Sequence, residues 1–238
     1  MPINAGSHSR LDKFETCPRQ AELAFVHRIP EPDRGPPPAK YKGEWPNERG
    51  SRIHDQTDAF IRGERKTIPD EAKDFSAELK AARKGYVAGK AVPEEMWCYD
   101  ENWNTTHPRA FDKIRFRIKT DLTFFKSETE AVVADYKTGR RFGNEVKHAE
   151  QLQIYQLGGF LRYPKLKVIT AELWYFDLNE LHSISYTREQ GLKFFRGIND
   201  RLQTMLQATE FPARPNRDNC RWCPYSQKGT GHCQEGIV

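Results

Sequence analysis

Residues 131–139 read Ala131-Val132-Val133-Ala134-Asp135-Tyr136-Lys137-Thr138-Gly139. Small and β-branched residues run into an acid, a base and then a Gly turn. Val132 and Val133 suit a strand covered on both faces, and Asp135 and Lys137, two apart, project to the same side of it. A carboxylate and an ammonium held side by side suit a metal-assisted hydrolytic site. They equally suit a strand end carrying a surface ion pair.

The flanking sequence separates these readings. Upstream, Phe116-Arg117-Ile118-Lys119-Thr120-Asp121-Leu122-Thr123-Phe124-Phe125 alternates apolar and polar residues as a half-buried strand does, and brings a second acid, Asp121. Downstream, Gln151-Leu152-Gln153-Ile154-Tyr155 opens a helical pattern in which Gln151 and Tyr155 share a face. Two acids, a lysine and a polar helix face can converge on one cleft.

The rest of the chain arranges itself around that cleft. Its 238 residues (27.7 kDa, 37% hydrophobic) can enclose one sizeable core with a small satellite lobe, so a single domain over 1–238 is expected. No apolar run reaches a membrane span and the N-terminus lacks a signal-peptide core, which points to the cytoplasm. A net charge of +5, from 38 basic and 33 acidic residues, permits a polyanionic partner without demanding one. Residues 7–29 read as one helix with Cys17 in its middle, and 30–46, rich in Pro and Gly, as a surface loop. A second helix carries Ile53, Thr57, Phe60 and Ile61 around His54, which on composition alone is a hydrogen-bonded core histidine before it is a ligand. Residues 75–90 form a packing helix through Phe75, Leu79, Ala82 and Tyr86.

A sheet should begin near residues 94–99 and continue through the Asp121 and Asp135 strands as an antiparallel meander of three. In it Glu95 could approach the site but reads first as a solvated strand residue, and Cys98 as a buried small hydrophobe. Residues 168–176 make a strong strand, joined to the Asp135 strand by a helical crossover. Residues 182–186 add a hairpin edge, and 188–208 return as one long helix. Near the C-terminus Cys220-x-x-Cys223 and Cys233, with Cys17 as a fourth, read as a metal site before a disulfide framework. Arg140, Arg141 and Lys147 gather by the Gly139 turn where a nucleic-acid backbone could pass, and Trp45, Trp103 and Phe142 are candidate base-stacking groups.

Taken in order, Ser7-x-Ser9-x-Leu11-x-x-Phe14-x-x-Cys17-Pro18, Gly50-x-x-x-His54, Asp121, Asp135-Tyr136-Lys137, Gln151-x-x-x-Tyr155 and the terminal cysteines resemble the RecB-like branch of the PD-(D/E)XK nucleases, which includes the AddB-type and CRISPR-associated exonucleases. The resemblance implies an α/β fold with a restriction-endonuclease-like core, a mixed central sheet flanked by helices. It further implies a small lobe of residues 1–30 and 209–238 in which the cysteines join the N- and C-termini. His54, Asp121, Asp135 and the backbone carbonyl of Tyr136 would hold Mn2+ or Mg2+, with Asp121, Asp135, Lys137, Gln151 and Tyr155 as the catalytic set. Cys17, Cys220, Cys223 and Cys233 would hold a [4Fe–4S] cluster, or zinc in its place. The implied activity is exonucleolytic hydrolysis of DNA, single strands or free ends preferred, in recombination, repair or phage and CRISPR processing. The alternatives are an endonuclease on the same fold and a non-catalytic nucleic-acid-binding module. Two departures stand out: Ile118 occupies a place where the branch usually has Gly, and the Cys223 to Cys233 gap is longer than its usual spacing, with His232 beside the last cysteine offering a nitrogen ligand instead.

Overall fold

The structure, a computed structural model, describes residues 2–139, 143 and 145–237. Six strands, β1 (Ala91–Tyr99), β2 (Thr105–Thr106), β3 (Phe116–Phe125), β4 (Glu130–Lys137), β5 (Val168–Tyr175) and β6 (Glu180–Thr187), form one sheet in the order β2-β1-β3-β4-β5-β6. All neighbours are antiparallel except β4 and β5. That parallel pair is joined through α5 (Glu145–Arg162), the crossover expected from sequence. The α5 helix starts two turns before Gln151, so Gln151 lies within the helix rather than at its beginning.

Each face of the sheet has its own core. On one, α1 (His8–Thr16), α5 and α7 (Phe195–Leu206) cover Trp97, Tyr99, Phe116, Ile118, Val133 and Leu173. On the other, α3 (Pro46–Arg62) and α4 (Ser76–Val87) cover Ala91, Leu122, Ala134, Tyr136 and Trp174. The β4 strand contributes odd residues to the first core and even ones to the second, which is why its sequence is apolar throughout.

The α5 helix lies unusually close to the sheet. A Cβ on Gly158 would stand 2.3 Å from Ile118 Cδ1, and the Gly158 carbonyl accepts a 2.7 Å hydrogen bond from Tyr99 Oη. Ile118 is therefore a core residue fitted against a glycine on the facing helix, which accounts for an apolar side chain at that place.

Three expectations need correction. Cys17 is not mid-helix: Pro18 denies it a helical backbone, and it sits extended between α1 and the single turn α2 (Pro18–Ala21). The C-terminal helix is two, α6 (Arg188–Leu192) and α7, with Gly191 pressed against the Phe160 ring where any Cβ would clash at 2.4 Å. The short β2 strand extends the antiparallel meander on its outer side. A last short helix, α8 (Arg217–Arg221), leads into the terminal cysteines. No described helix is long and apolar enough to cross a membrane.

Strands β1 and β3 stay in one register from Ala91 opposite Phe124 to Tyr99 opposite Phe116. The faces nevertheless exchange part-way: Trp97, Tyr99, Phe116 and Ile118 enter the first core, but Ala91 and Leu122 the second. The exchange falls where Glu94 adopts φ = 51°. A left-handed glutamate is strained, and such strain persists where the surroundings over-determine it.

Candidate active site

The ladder between β3 and β4 runs from Phe125 opposite Ala131 to Leu122 opposite Ala134. The next pair would be Asp121 opposite Asp135. There the Asp121 carboxylate takes the place of a backbone partner, its Oδ2 accepting a 2.7 Å hydrogen bond from the Tyr136 amide. The two acids are 5% and 6% exposed, so both charges stand in a nearly water-free gap.

Helix α3 supplies the next group. A Cβ on Gly50 would meet Thr138 Oγ1 at 3.1 Å, so glycine lets α3 lie against the end of β4, and one turn later His54 Nδ1 stands 3.0 Å from Asp121 Oδ1. Glu94 completes the group from β1, facing Asp121 across the β1–β3 pair. One ligand atom from each of His54, Glu94 and Asp121 lies within 4.8 Å of the others. The Glu94 side chain pairs with Lys119 through one oxygen, while the other, Oε1, is buried without a hydrogen-bond partner. An orphaned buried carboxylate oxygen beside an acid and an imidazole is what a divalent cation satisfies.

The electrostatics agree. Burial lifts the Asp121 carboxyl above the usual carboxylate range, and the charge on Asp135 lifts it further, against the His54 and Tyr136 hydrogen bonds. Glu94 is raised by burial despite Lys119. Burial pulls His54 down, but its hydrogen bond to Asp121 and the charges of Asp121, Asp135 and Glu94 prevail, so its pKa is raised. Negative charge is in excess.

A second constellation adjoins the first. Lys137 Nζ lies 2.6 Å from Asp135 Oδ2 as a charge contact outside hydrogen-bond geometry, and donates to Gln151 Oε1 at 2.7 Å. Gln151 Nε2 in turn donates to Asp135 Oδ1 at 2.9 Å and to Tyr155 Oη at 2.7 Å, and Tyr155 Oη donates to Asp135 Oδ1. The amide of Gln151 thus braces acid and base against each other.

The family profile of the PD-(D/E)XK nuclease superfamily matches residues 5–227. The chain belongs to that superfamily. Membership implies metal-dependent nuclease activity with DNA as substrate. No curated protein matches the chain. Among solved structures, that described as the crystal structure of SSO0001 is 13% identical, with the match covering 100% of the nuclease chain and 89% of that one at a TM-score of 0.45.

Sequence reasoning missed part of this nuclease site. Glu94, not Glu95, faces the acids. Glu95 turns to the other side, accepting from Trp97 Nε1 at 2.8 Å and Tyr163 Oη at 2.9 Å and pairing with Arg162. Arg49 and Asp177 were also missed. Asp177 accepts from the Gly139 amide at 2.7 Å and from both terminal nitrogens of Arg49, at 2.7 and 2.9 Å, pinning the turn after Lys137 where Gly139 holds φ = 98°.

The flanking nucleic-acid groups divide. Arg140, Arg141 and Phe142 lie outside the described residues. Lys147 is half exposed and paired with Asp12 at 2.9 Å. Trp103 is a core residue, 7% exposed, packed at tilted and edge-on angles among Tyr99, Phe116 and Phe195 with Nε1 donating to Asn199 at 2.9 Å. Trp45 caps α3 and donates to the Gly35 carbonyl at 3.0 Å.

The structure brings the four distant cysteines together. Cys17, Cys220, Cys223 and Cys233 line one small cavity, all as free thiols, whereas Cys98 is buried beside Ala5 and Ile114. The chain segments around them are tied by Tyr225 Oη donating to the Ile29 carbonyl at 3.0 Å and Asn219 Nδ2 to the Thr16 carbonyl at 3.2 Å. Burial pushes the Cys223 and Cys233 thiols up. His232 is exposed and does not line the cavity.

Proposed function

We propose that this nuclease is a divalent-metal-dependent exonuclease that degrades DNA from free ends, with a preference for single strands, in recombination, repair or phage and CRISPR DNA processing. The observation that carries its catalytic part is the adjacency of an anionic His54–Glu94–Asp121 group to the braced Asp135–Lys137 pair. The exonucleolytic part is supported by the RecB-like motif order.

His54, Glu94, Asp121 and Asp135 would hold the ion, with the Tyr136 carbonyl, which in an antiparallel pair projects to the same strand side as its amide. Hard oxygens suit Mg2+ or Mn2+ and the imidazole nitrogen favours Mn2+. When bound, such an ion supplies the charge that acidifies water and neutralises the phosphoryl oxygens. The protein's own contribution is placement. Lys137 presents a fixed ammonium where negative charge grows, in a gap too dry to screen it. Gln151 holds that ammonium and Asp135 in one orientation, and Tyr155 locks the carboxylate from below. The four thiols are read as the ligands of a structural [4Fe–4S] cluster, zinc being the alternative; a soft-metal site fits four free thiols gathered on one cavity.

Incubating the anaerobically purified protein with end-labelled linear and with circular DNA, in Mn2+, Mg2+ or chelator, tests the reading. Loss of linear but not circular DNA, with metal only, is the expected result. Opening of circles would establish the endonuclease, and binding without cutting by fully metallated protein the non-catalytic module.

Glu94 offers a test that needs no turnover. Glu94→Gln removes the partnerless anionic oxygen, so Mn2+ binding by calorimetry at neutral pH weakens by about tenfold or more, as loss of supporting metal-site groups does, while the metal-free protein melts no lower. Protons compete with the ion for His54, Asp121 and Glu94, all raised, so wild-type Mn2+ affinity falls as pH drops through and below the ordinary histidine value of about 6.5. Affinity unchanged by the substitution would remove Glu94 from the site.

A further inference from the structure

Beside the braced pair lies a second cavity of about 310 Å³, whose lining includes Ser7, Ser9, Arg10, Arg117, Gln151 and Tyr155. Those last two side chains also hold the Asp135 carboxylate. The cavity and the hydrolytic gap therefore share Gln151 and Tyr155.

Its charges are unbalanced. The Arg10 guanidinium donates to the Ala5 carbonyl at 2.9 Å and lies 4.6 Å over the Phe25 ring, and neither it nor Arg117 has a carboxylate partner among the described residues. Burial first, and then the nearby charges of Arg117 and Arg28, depress the Arg10 pKa. Lys119, also at this cavity, is already engaged by Glu94. His8, which lines it too, keeps Nε2 buried without a partner. Two guanidiniums drawn into one concave pocket, against their repulsion and without a protein anion, fit a bound anion that both can grip through charge-assisted hydrogen bonds. The anion's own charge can be read from theirs. An internal phosphodiester carries one negative charge, whereas a phosphate monoester carries nearly two at neutral pH. The Ser7 and Ser9 hydroxyls, 3.1 Å apart, add uncharged donors of the kind its third oxygen needs.

We propose that this cavity seats the terminal phosphate monoester of a DNA strand whose next residues enter the hydrolytic gap. This rests on the nuclease reading and sharpens it, because the substrate becomes a phosphorylated end rather than any end. Recognition of the end is then a property of the scaffold, separate from the cutting groups.

The test uses matched single-stranded oligonucleotides bearing a 5′-phosphate, a 3′-phosphate or hydroxyls at both ends. The full-length protein should cut one phosphorylated form with kcat/KM about tenfold or more above the hydroxyl form, as charge-assisted contacts warrant. Arg117→Ala should collapse that ratio towards one, and Arg117→Lys restore part of it. The same oligonucleotides, titrated by fluorescence anisotropy onto Asp135→Asn protein in chelator, should show the same phosphate preference in Kd. If that preference exists and falls with Arg117→Ala while no metallated protein cuts DNA, the cavity assignment stands and the nuclease reading fails. If Arg117→Ala slows phosphorylated and hydroxyl ends equally, the cavity holds an internal phosphodiester and the proposal is overturned. Indifference of binding and cutting to both the phosphate and Arg117 overturns it as well.

Discussion

Asp135→Asn protein is expected to fold, to bind DNA and to cut it about 10³-fold more slowly than wild type. The substitution keeps an Oδ1 acceptor for Gln151 and Tyr155, so the brace from α5 remains. What goes is the negative charge, and with it a full ligand and the counter-charge that holds Lys137. Metal-derived stabilisation of the transition state is worth several kcal/mol, and each 1.36 kcal/mol is about tenfold in rate. Stability should move little, and in a predictable direction. Asp121 is raised partly by the charge of Asp135, so neutralising Asp135 removes a buried like-charge repulsion, set against a new amide facing Lys137 Nζ. Single-turnover cleavage on metal-saturated protein and a melting curve check both halves. A variant that cuts within tenfold of wild type would displace Asp135 from the catalytic set.

The second large effect is on stability. On the proposed metal ligation by the four thiols, replacing Cys220 by Ala should lower the melting temperature by about 10–20 °C and release that metal, while Cys98→Ala leaves metal content unchanged. The contacts around the thiols are few: a core of Leu23, Tyr225 and Cys233 and a handful of hydrogen bonds. Ligation from Cys17 to Cys233 closes a loop of 216 residues (233 − 17), for which chain entropy alone gives about 5 kcal/mol, at roughly 2–4 °C per kcal/mol in a chain of this size. Iron, sulfide and zinc analysis of the purified protein, with its visible spectrum, identifies what is released. Equal melting of the wild-type and Cys220→Ala proteins would remove the thiols from any structural role.

The parts of the fold carried by local pattern were legible. Strand β4 announces itself because it is buried on both faces, and Gln151 and Tyr155 share a helix face by spacing alone, so their convergence on Asp135 follows once the crossover is assumed. The break at Cys17 is also marked in the sequence, by Pro18. Glu94 was not legible. It faces Asp121 from a left-handed backbone, at the point where the alternation of β1 changes face, and no residue type marks that change. Trp103 looked like a loop aromatic since its neighbours Asn102 and Asn104 are polar, yet it turns inward on a φ of 60°. The cavity at Arg10 and Arg117 joins α1 to β3, a contact between segments about a hundred residues apart that only the folded chain reveals.

The order of the sheet is also a division of labour along the gene. Strands β2, β1 and β3 precede residue 126 and lie on one side of the interrupted ladder; β4, β5 and β6 follow residue 129 and lie on the other. His54, Glu94 and Asp121 belong wholly to the first half, and Asp135, Lys137, Gln151 and Tyr155 wholly to the second. The hairpin between them, Lys126 to Thr129, is a polar turn. The proposed ion would therefore draw ligands from both halves, His54, Glu94 and Asp121 from the first and Asp135 from the second, and so tie together two stretches of chain that meet only across the interrupted ladder.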